Sequence, residues 1–171
     1  DHARNVAELR RITQPESQLM AVVKSNGYGH GAVEVAKCAL QNGAARLGVA
    51  RIEEGIQLRE AGIRAPILIF GYTLPDRASD LLKYELIPCV YTVASARKFS
   101  RTAALLGKKI NAHLKVDTGM GRLGQLANNF KADNSTAINA DDIEEALAIA
   151  GLKGLELEGI FTHFATADSS D

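Results

Sequence analysis

The chain has 171 residues, of which 46% are hydrophobic, and this length allows one sizeable buried core. Its 20 basic and 20 acidic residues cancel, so no basic surplus points to nucleic acid or to an anionic membrane as a partner. No apolar run approaches the roughly 18 residues of a membrane span, and no basic-then-apolar leader opens the chain. Cys38 and Cys89 are isolated and lack metal-like spacing. We therefore expect no metal site, two small core cysteines and a cytoplasmic location.

Apolar strand patterns alternate with amphipathic helix patterns along the chain. Val6, Leu9 and Ile12 mark one face of an opening helix that ends near Pro15. The elements predicted after it, in chain order, are strand 18–24, helix 32–42, strand 46–50, helix 52–61, strand 66–71, helix 77–84, strand 86–91, helix 93–106, strand 110–116, helix 142–150 and strand 155–161. Residues 125–140, rich in Asn, Asp and Ser, are expected to form a flexible insertion.

Continuous apolar strands that alternate with helices indicate an α/β protein with a parallel sheet. Periodicity does not reveal strand order, so a doubly wound open sheet and a (β/α)₈ barrel both remain open. The sequence supplies about six strand–helix units, whereas a complete barrel has eight strands and about 250 residues. A six-stranded arc would leave two apolar edges unpaired. We therefore expect the chain to be a piece of a longer protein.

A lysine ends the first apolar strand, directly before a glycine-rich turn. The string Lys-Ser-Asn-Gly-Tyr-Gly-His-Gly occupies positions 24–31. Lys24 is either a strand-end lysine whose amine reaches solvent or an amine at the carboxyl edge of a sheet that can form a Schiff base. Tyr28 could bring its hydroxyl near an anion bound at the turn, although by itself this spacing is more typical of a packing aromatic.

Two further strings end predicted strands. His-Leu-Lys-Val-Asp-Thr-Gly-Met-Gly-Arg-Leu-Gly at 113–124 brings Lys115 and Arg122 toward one edge, where two cations repel unless an anion or a modification separates them. The same pattern also fits a solvated surface loop. Gly-Ile-Phe-Thr-His-Phe-Ala-Thr-Ala-Asp at 159–168 ends a strand near His163. A lone histidine there is more often a packed core residue than a catalyst.

Together and in this order, the three strings resemble the N-terminal part of an alanine racemase, a pyridoxal-phosphate enzyme whose barrel domain precedes a mostly β C-terminal domain. The resemblance covers essentially the whole chain and is loosest over residues 125–140. It implies that residues 1–171 are a partial N-terminal cofactor-binding domain. The fold would be an incomplete (β/α)₈ barrel of the TIM type, without the rest of the barrel and the C-terminal domain.

The resemblance also implies roles for individual residues. Lys24 would hold pyridoxal 5'-phosphate as an internal aldimine and act as one of two acid/base groups. Tyr28 would contact the cofactor phosphate. Arg122 would point at the phenolic oxygen of the cofactor, and His163 would lie beside its pyridine ring.

Two more residues complete the site that the resemblance implies. Lys115 is often carbamylated in this family, and this modification would convert a cation to an anion and remove the repulsion from Arg122. Phe70, at the end of the predicted third strand, is expected to line the cofactor pocket.

The implied reaction interconverts L-alanine and D-alanine and supplies D-alanine for cell-wall peptidoglycan. Removal of the α-proton leaves an unstable carbanion that the cofactor ring delocalises, and racemisation needs a proton-transferring group on each face. In the family the second group is a tyrosine of the partner subunit in a homodimer. That tyrosine lies outside these residues, so the 171 residues alone are expected to be inactive.

Other functions stay open on the sequence. A serine or broad-spectrum amino-acid racemase of the same family would carry the same three strings. A non-catalytic pyridoxal-phosphate-binding protein on a similar barrel would keep the strand-end lysine but is not expected to carry the loop at 117–122. A decarboxylase on a related barrel would have a different lysine string and release carbon dioxide.

Overall fold

The structure, a computed structural model, describes residues 1–126 and 140–169. Its helices are α1 His2–Ile12, α2 Ala32–Gln41, α3 Ile52–Glu60, α4 Ala78–Tyr84, α5 Val93–Leu105 and α6 Ala140–Ala150. Its strands are β1 Leu19–Val22, β2 Ala44–Val49, β3 Ile67–Ile69, β4 Ile87–Val90, β5 Ile110–Asp117, β6 Gln125–Leu126 and β7 Leu155–Phe161. A short 3₁₀ helix, Pro75–Arg77, leads into α4. The chain forms two compact units, one of Asp1–Thr73 with Lys83–Pro88 and one of Leu74–Leu82 with Cys89–Asp171.

The strands of each unit pair in parallel and follow chain order, except that β7 pairs with β5 beside the two-residue strand β6. In the first unit β1 pairs with β2, β2 with β3, and β3 with Ile87 and Pro88 of β4. In the second unit Cys89 and Val90 of β4 pair with β5, and β5 pairs with β7 and, near its end, with β6. A doubly wound sheet reverses its strand order at a switch point, whereas barrel strands pair in sequence. The α/β class is confirmed, and the order within each unit is that of a barrel.

The core of the first unit lies between its strands and its helices. Leu47 and Val49 of β2 and Ile67 and Ile69 of β3 have no exposed side-chain surface, and neither has Leu58 of α3. Burial of each such side chain contributes about 1.5–3 kcal/mol. Strands that are apolar on successive positions can be buried on both faces, and this is why the sequence pattern identified β2 and β3.

The core of the second unit is formed by α5 and α6 against β5 and β7. Phe99 and Ala103 of α5, Ile149 of α6 and Leu114 of β5 are all buried. The turn before β7 approaches α5 closely: the Gly154 N–H donates to Ser100 Oγ at 3.0 Å. A Cβ at Gly154 would lie 2.1 Å from the Ser100 carbonyl oxygen, so only glycine fits there.

Arg59 is a buried polar tie within the first unit. Its side chain, 8% exposed, donates to four backbone carbonyl oxygens, those of Tyr84 (2.8 Å), Ile63 (2.9 Å), Ala65 (2.8 Å) and Glu85 (3.0 Å). Burial lowers the pKa of its guanidinium, and the negative charge of Glu85 partly offsets this decrease. The planar fork of arginine matches several acceptors at once, so one side chain joins the α3–β3 connection to the α4–β4 connection.

Several sequence predictions need correction at strand ends. β1 ends at Val22, so Lys24 lies in the turn that follows rather than in the strand. β3 ends at Ile69, before Phe70, whereas β7 ends at Phe161 as predicted. The apolar pattern continues past β1 because Val23 is completely buried, and its N–H still donates to the Gly48 carbonyl of β2 at 2.9 Å.

The predicted insertion at 125–140 is wrong at both ends. Gln125 and Leu126 form β6, and α6 begins at Ala140. Residues 127–139 lie outside the described residues. Cys89 is buried as predicted, whereas Cys38 is only half-buried. No helix within the described ranges combines the length and the apolar character that crossing a bilayer requires.

The opening helix, α1, was predicted to present one apolar face. The helix is present, but Leu9 is 50% and Ile12 is 62% exposed, and α1 has no buried residue. The helical period therefore identified the element correctly, while the part of the chain that the structure describes leaves much of this face exposed to solvent.

Replacement of Arg59 by lysine should lower the free energy of unfolding of the intact protein by about 2–3 kcal/mol. One ammonium cannot satisfy four carbonyls from two segments, so buried acceptors lose their partners. Urea unfolding followed by circular dichroism measures the difference. The same change at Arg64, whose side chain is exposed, is the matched control. Equal stability of the two variants would contradict this role for Arg59.

Candidate active site

The turn after β1, residues Lys24–Tyr28, is a single turn of left-handed helix, which we call the lysine turn. The backbone angles φ and ψ are 53° and 47° at Ser25, 55° and 42° at Asn26, and 62° and 36° at Gly27, and φ is 54° at Tyr28. Three of these four residues have a Cβ, and each costs about 1–2 kcal/mol in this conformation. Such strain persists only where surrounding contacts hold it, and it concentrates at functional sites.

Backbone and side-chain hydrogen bonds close the lysine turn on itself. The Gly27 N–H donates to the Val23 carbonyl at 2.9 Å, and the Gly31 N–H donates to the Asn26 carbonyl at 2.9 Å. The Asn26 side chain accepts from the Ala32 N–H at 2.9 Å, at the first residue of α2. The turn therefore joins β1 directly to α2, and asparagine suits it because its short polar side chain tolerates this backbone and bonds locally.

Lys24 and Tyr28, at the two ends of the lysine turn, have neighbouring side chains. The Lys24 Nζ is 5.8 Å from the centroid of the Tyr28 ring. Lys24 is half-buried, whereas Tyr28 is 63% exposed. No carboxylate of the first unit forms an ion pair with Lys24 among the residues that the structure describes. The amine is thus held near an aromatic ring without a neutralising acid.

Phe70 covers the surface of β2. A Cβ on Gly48 would lie 2.3 Å from Phe70 Cζ and 3.4 Å from Met20 Sδ, so the three residues share one face of the sheet. The ring occupies the space that a larger residue at position 48 would fill. Phe70 is therefore packed onto the sheet directly after β3, and its predicted contact with a cofactor stays a prediction.

In the second unit, the loop Thr118–Gly124, which we call the Arg122 loop, is organised by the carboxylate of Asp117. Asp117 Oδ1 accepts from the Gly119 N–H at 2.9 Å and from the Gly121 N–H at 3.0 Å. The hydrogen bond from the Gly121 amide, followed by that from Gly119, lowers the pKa of the Asp117 carboxyl. Desolvation acts in the opposite direction, and the amides of Met120 and Arg122 lower the pKa further. Both glycines have positive φ, which allows their N–H groups to converge on one oxygen.

A pair of threonines joins this loop to the end of β7. Thr118 Oγ1 and Thr162 Oγ1 are 2.8 Å apart, and Thr162 also donates to the Val116 carbonyl at 2.8 Å. Arg122 in the loop and His163 after β7 are both exposed. The segments that carry them are therefore tied together, as the shared carboxyl edge of parallel strands predicts.

Lys115 lies inside β5 and is only 8% exposed. Its Nζ lies 4.9 Å from the centroid of the Phe161 ring of β7, so a cation–π contact supports the buried charge. Burial raises the pKa of the nearby Cys89 thiol to about 11, although the Lys115 charge acts in the opposite direction. Cys89 is therefore protonated at neutral pH and behaves as the core residue that its context predicted.

The six candidate residues divide between the units: Lys24, Tyr28 and Phe70 belong to the first, and Lys115, Arg122 and His163 to the second. Lys24 and Tyr28 are brought together, while Phe70 packs on β2. The sequence predicted no role for two carboxylates that accept backbone hydrogen bonds in these segments. They are Asp117, in the Arg122 loop, and Glu54 of α3, at the lysine turn. Glu54 is the third residue of its helix, a place where a glutamate signals a helix start rather than a site.

Comparison with known proteins supplies the family. The family profile described as "Alanine racemase, N-terminal domain" matches residues 2–171. The chain is 49% identical over 169 residues to the alanine racemase of Desulfosudis oleivorans, a match that covers 99% of this chain and 43% of that protein. The chain belongs to the alanine racemase family. It spans less than half of the length of that racemase.

Solved structures agree with this assignment. An alanine racemase of Clostridium difficile in complex with cycloserine matches with a TM-score of 0.87 and 36% identity, over 99% of this chain and 43% of that one. A histidine racemase from Leuconostoc mesenteroides matches with a TM-score of 0.81 and 26% identity, over 99% of this chain and 42% of that one. These matches confirm the predicted fold class, an incomplete TIM-type α/β barrel. They also show that one fold occurs in racemases named for different amino acids.

Replacement of Asp117 by asparagine should destabilise the Arg122 loop in a pH-dependent manner. The folded state lowers the pKa of this carboxyl, so its contribution is complete above the ordinary carboxyl pKa and is lost as the pH falls through the lower folded value. The stability difference between wild type and variant should therefore be largest near neutral pH and shrink below about pH 4. Urea unfolding at several pH values measures it.

The control for this experiment is Asp76→Asn, because Asp76 is exposed in the same unit. Its effect on stability should be small at every pH. A difference for Asp117→Asn that grew on acidification would refute the proposed role of the carboxylate.

Proposed function

We propose that this chain is the N-terminal part of an enzyme that interconverts L-alanine and D-alanine with pyridoxal 5'-phosphate as cofactor. The observation that carries the proposal is the Lys24 amine, half-buried directly after a parallel strand on a strained turn, without an acidic partner in the described part of its unit. An amine kept apart from carboxylates is available to a carbonyl group. Family membership supports the same reading.

The residues present fit this cofactor. Lys24 supplies a nucleophilic amine, and the Tyr28 hydroxyl, on the neighbouring exposed ring, supplies a polar group for a phosphate. A Cβ at Gly29, the residue after Tyr28, would meet nothing within 4 Å, so the backbone there faces open space. In the second unit Arg122 supplies an exposed guanidinium, a good partner for an anionic oxygen.

In this proposal each residue has a defined task. Lys24 binds the cofactor covalently and, when substrate has taken its place, removes or returns a proton at the substrate α-carbon on one face. Tyr28 binds the phosphate, Arg122 the phenolic oxygen, and His163 packs beside the pyridine ring. Bound pyridoxal phosphate supplies the conjugated ring that accepts the charge left at the α-carbon.

Lys115 and Phe70 have supporting tasks. Lys115, if carbamylated, would present an anion toward Arg122 and orient its guanidinium. Phe70, packed over Gly48, would form an apolar wall of the pocket and exclude water.

Racemisation needs a second proton-transferring group on the opposite face, and we propose that it is a tyrosine of the partner subunit in a homodimer. This group lies outside the chain, so residues 1–171 alone are expected not to racemise alanine. The product D-alanine would serve cell-wall peptidoglycan. Cys38 and Cys89 are not joined in a disulfide, which is compatible with a reducing compartment, so we propose a cytoplasmic location.

A different amino acid is the alternative substrate. The match to a histidine racemase shows that the fold accommodates proteins named for other substrates, and serine or several amino acids would use the same Lys24 chemistry. Racemisation rates of the intact protein on L-alanine, L-serine and L-histidine decide between them. Fastest turnover of serine or histidine would overturn the alanine assignment.

The intact protein, saturated with pyridoxal phosphate, should exchange the α-hydrogen of L-alanine in deuterated water and produce D-alanine. Lys24→Ala should lower this rate by at least about 10²–10⁴-fold, because one proton-transferring group is lost. Proton nuclear magnetic resonance and chiral chromatography measure exchange and product. Borohydride treatment followed by mass spectrometry should place the trapped cofactor on Lys24.

Lys37→Ala is the control, since Lys37 is an exposed lysine on the neighbouring helix α2. It should leave both rate and labelling unchanged. Cofactor binding without α-hydrogen exchange would indicate a non-catalytic binding protein, and release of carbon dioxide a decarboxylase. Near wild-type racemisation by Lys24→Ala would refute the assigned role.

A further inference from the structure

One carboxylate reaches the lysine turn from a distant part of the first unit. Glu54 Oε1 accepts a hydrogen bond from the Ser25 N–H at 2.6 Å. Glu54 Oε2 accepts from the Ala50 N–H at 2.7 Å and from the Arg51 N–H at 3.0 Å. A single side chain therefore joins the lysine turn, the residue after β2 and the N-terminus of α3.

The bond to Ser25 acts at the peptide that follows Lys24. The Ser25 N–H belongs to the Lys24–Ser25 peptide plane, so its direction is coupled to the orientation of the Lys24 Cα and side chain. Ser25 is also the first residue of the turn with positive φ, which a residue with a Cβ rarely adopts. Hydrogen bonds to an ionised acceptor are stronger than neutral ones, and this one fixes the turn where its strain begins.

The remaining Glu54 contacts make the carboxylate itself rigid. Its second oxygen is held by two amides at the start of α3, where the helix dipole also favours a negative charge. Among the described residues, every hydrogen bond of Glu54 is to a backbone N–H group. The backbone therefore sets the position of its carboxylate, and no other side chain has to be ordered to hold it.

We propose that Glu54 is a positioning residue for Lys24: its carboxylate holds the lysine turn in the left-handed conformation and thereby aims the amine at the cofactor and the substrate. The proposal rests on the proposed function in one respect, the covalent role of Lys24. Glu54 acts through the Ser25 amide and is not itself a group that touches the reacting atoms.

Glu54→Gln is the most direct test because it preserves size and removes one acceptor. A glutamine places an NH₂ group against a backbone N–H, so either the Ser25 bond or the pair at α3 is lost. Glu60→Gln, at the exposed end of the same helix, removes the same charge and is the matched control.

Three measurements on the intact protein follow from this. Amide exchange in the peptide that contains Ser25 should be at least tenfold faster in Glu54→Gln than in wild type or Glu60→Gln. The dissociation constant for pyridoxal phosphate should rise at least tenfold. Borohydride trapping and mass spectrometry locate the bound cofactor on Lys24. With cofactor saturating, kcat should fall about 10²-fold while KM changes little, since misplacement of a reacting group acts on the transition state.

A wild-type measurement keeps the proposal testable even if Glu54→Gln does not fold. Ser25 is solvent-exposed, yet its amide should exchange much more slowly than an unprotected amide because Glu54 binds it. Free exchange at Ser25 in the wild type would overturn the proposal.

The outcomes separate this proposal from the proposed function. If wild type carries cofactor on Lys24 and racemises alanine, but Glu54→Gln matches Glu60→Gln in exchange, affinity and kcat, then the role of Glu54 is refuted and the function stands. If wild type carries no cofactor on Lys24, the proposed function fails, and the exchange rates alone decide whether Glu54 holds the turn.

Discussion

The position of Lys24 in the first unit depends on the strained backbone of the lysine turn. Ser25, Asn26 and Tyr28 adopt left-handed angles that cost each of them about 1–2 kcal/mol, and the turn exists only because other groups hold it. A hydrogen bond to a charged group contributes about 1.5–3 kcal/mol, so the bond from Ser25 to Glu54 offsets the cost of its own residue. Lys24, the first residue of the lysine turn, is therefore positioned by the contacts of the turn rather than by strand β1.

The two units use one device for two different loops. In each, a carboxylate at or near a strand end accepts backbone N–H groups from a segment that carries a cation: Glu54 for Lys24, and Asp117 for Arg122. The acceptor oxygen fixes the backbone of the segment. In the function proposed above, the carboxylate that shapes each segment is therefore separate from the cationic side chain that meets the ligand, whereas a direct ion pair would neutralise the amine or guanidinium.

Buried charge is supported in a different way. The Arg59 guanidinium donates hydrogen bonds to four backbone carbonyls and so stabilises the fold of the first unit. Lys115 lies over the Phe161 ring inside the second unit, which stabilises a cation where water is scarce.

The sequence by itself determined the α/β class, nearly every helix and strand, and the three strings that assign the family. It could do so because continuous apolar strands, helical periods and glycines after helices are local properties. It did not determine the exact strand ends, because the predicted strands included Lys24 and Phe70, whereas β1 ends at Val22 and β3 at Ile69. It also missed β6, which is too short to have a period.

Only the tertiary structure decided how the candidate residues are held. Asparagine and glycine tolerate left-handed angles, but the residue types of Ser25 and Tyr28 do not predict them, and the glutamate that stabilises the turn lies 29 residues from Ser25 along the chain. Glu54 is the third residue of α3, a position where glutamate is typical of a helix start, so its residue type gives no sign of its contact with Ser25. A local pattern reports what a residue prefers, whereas strain and its compensation arise between segments that meet only in the folded chain.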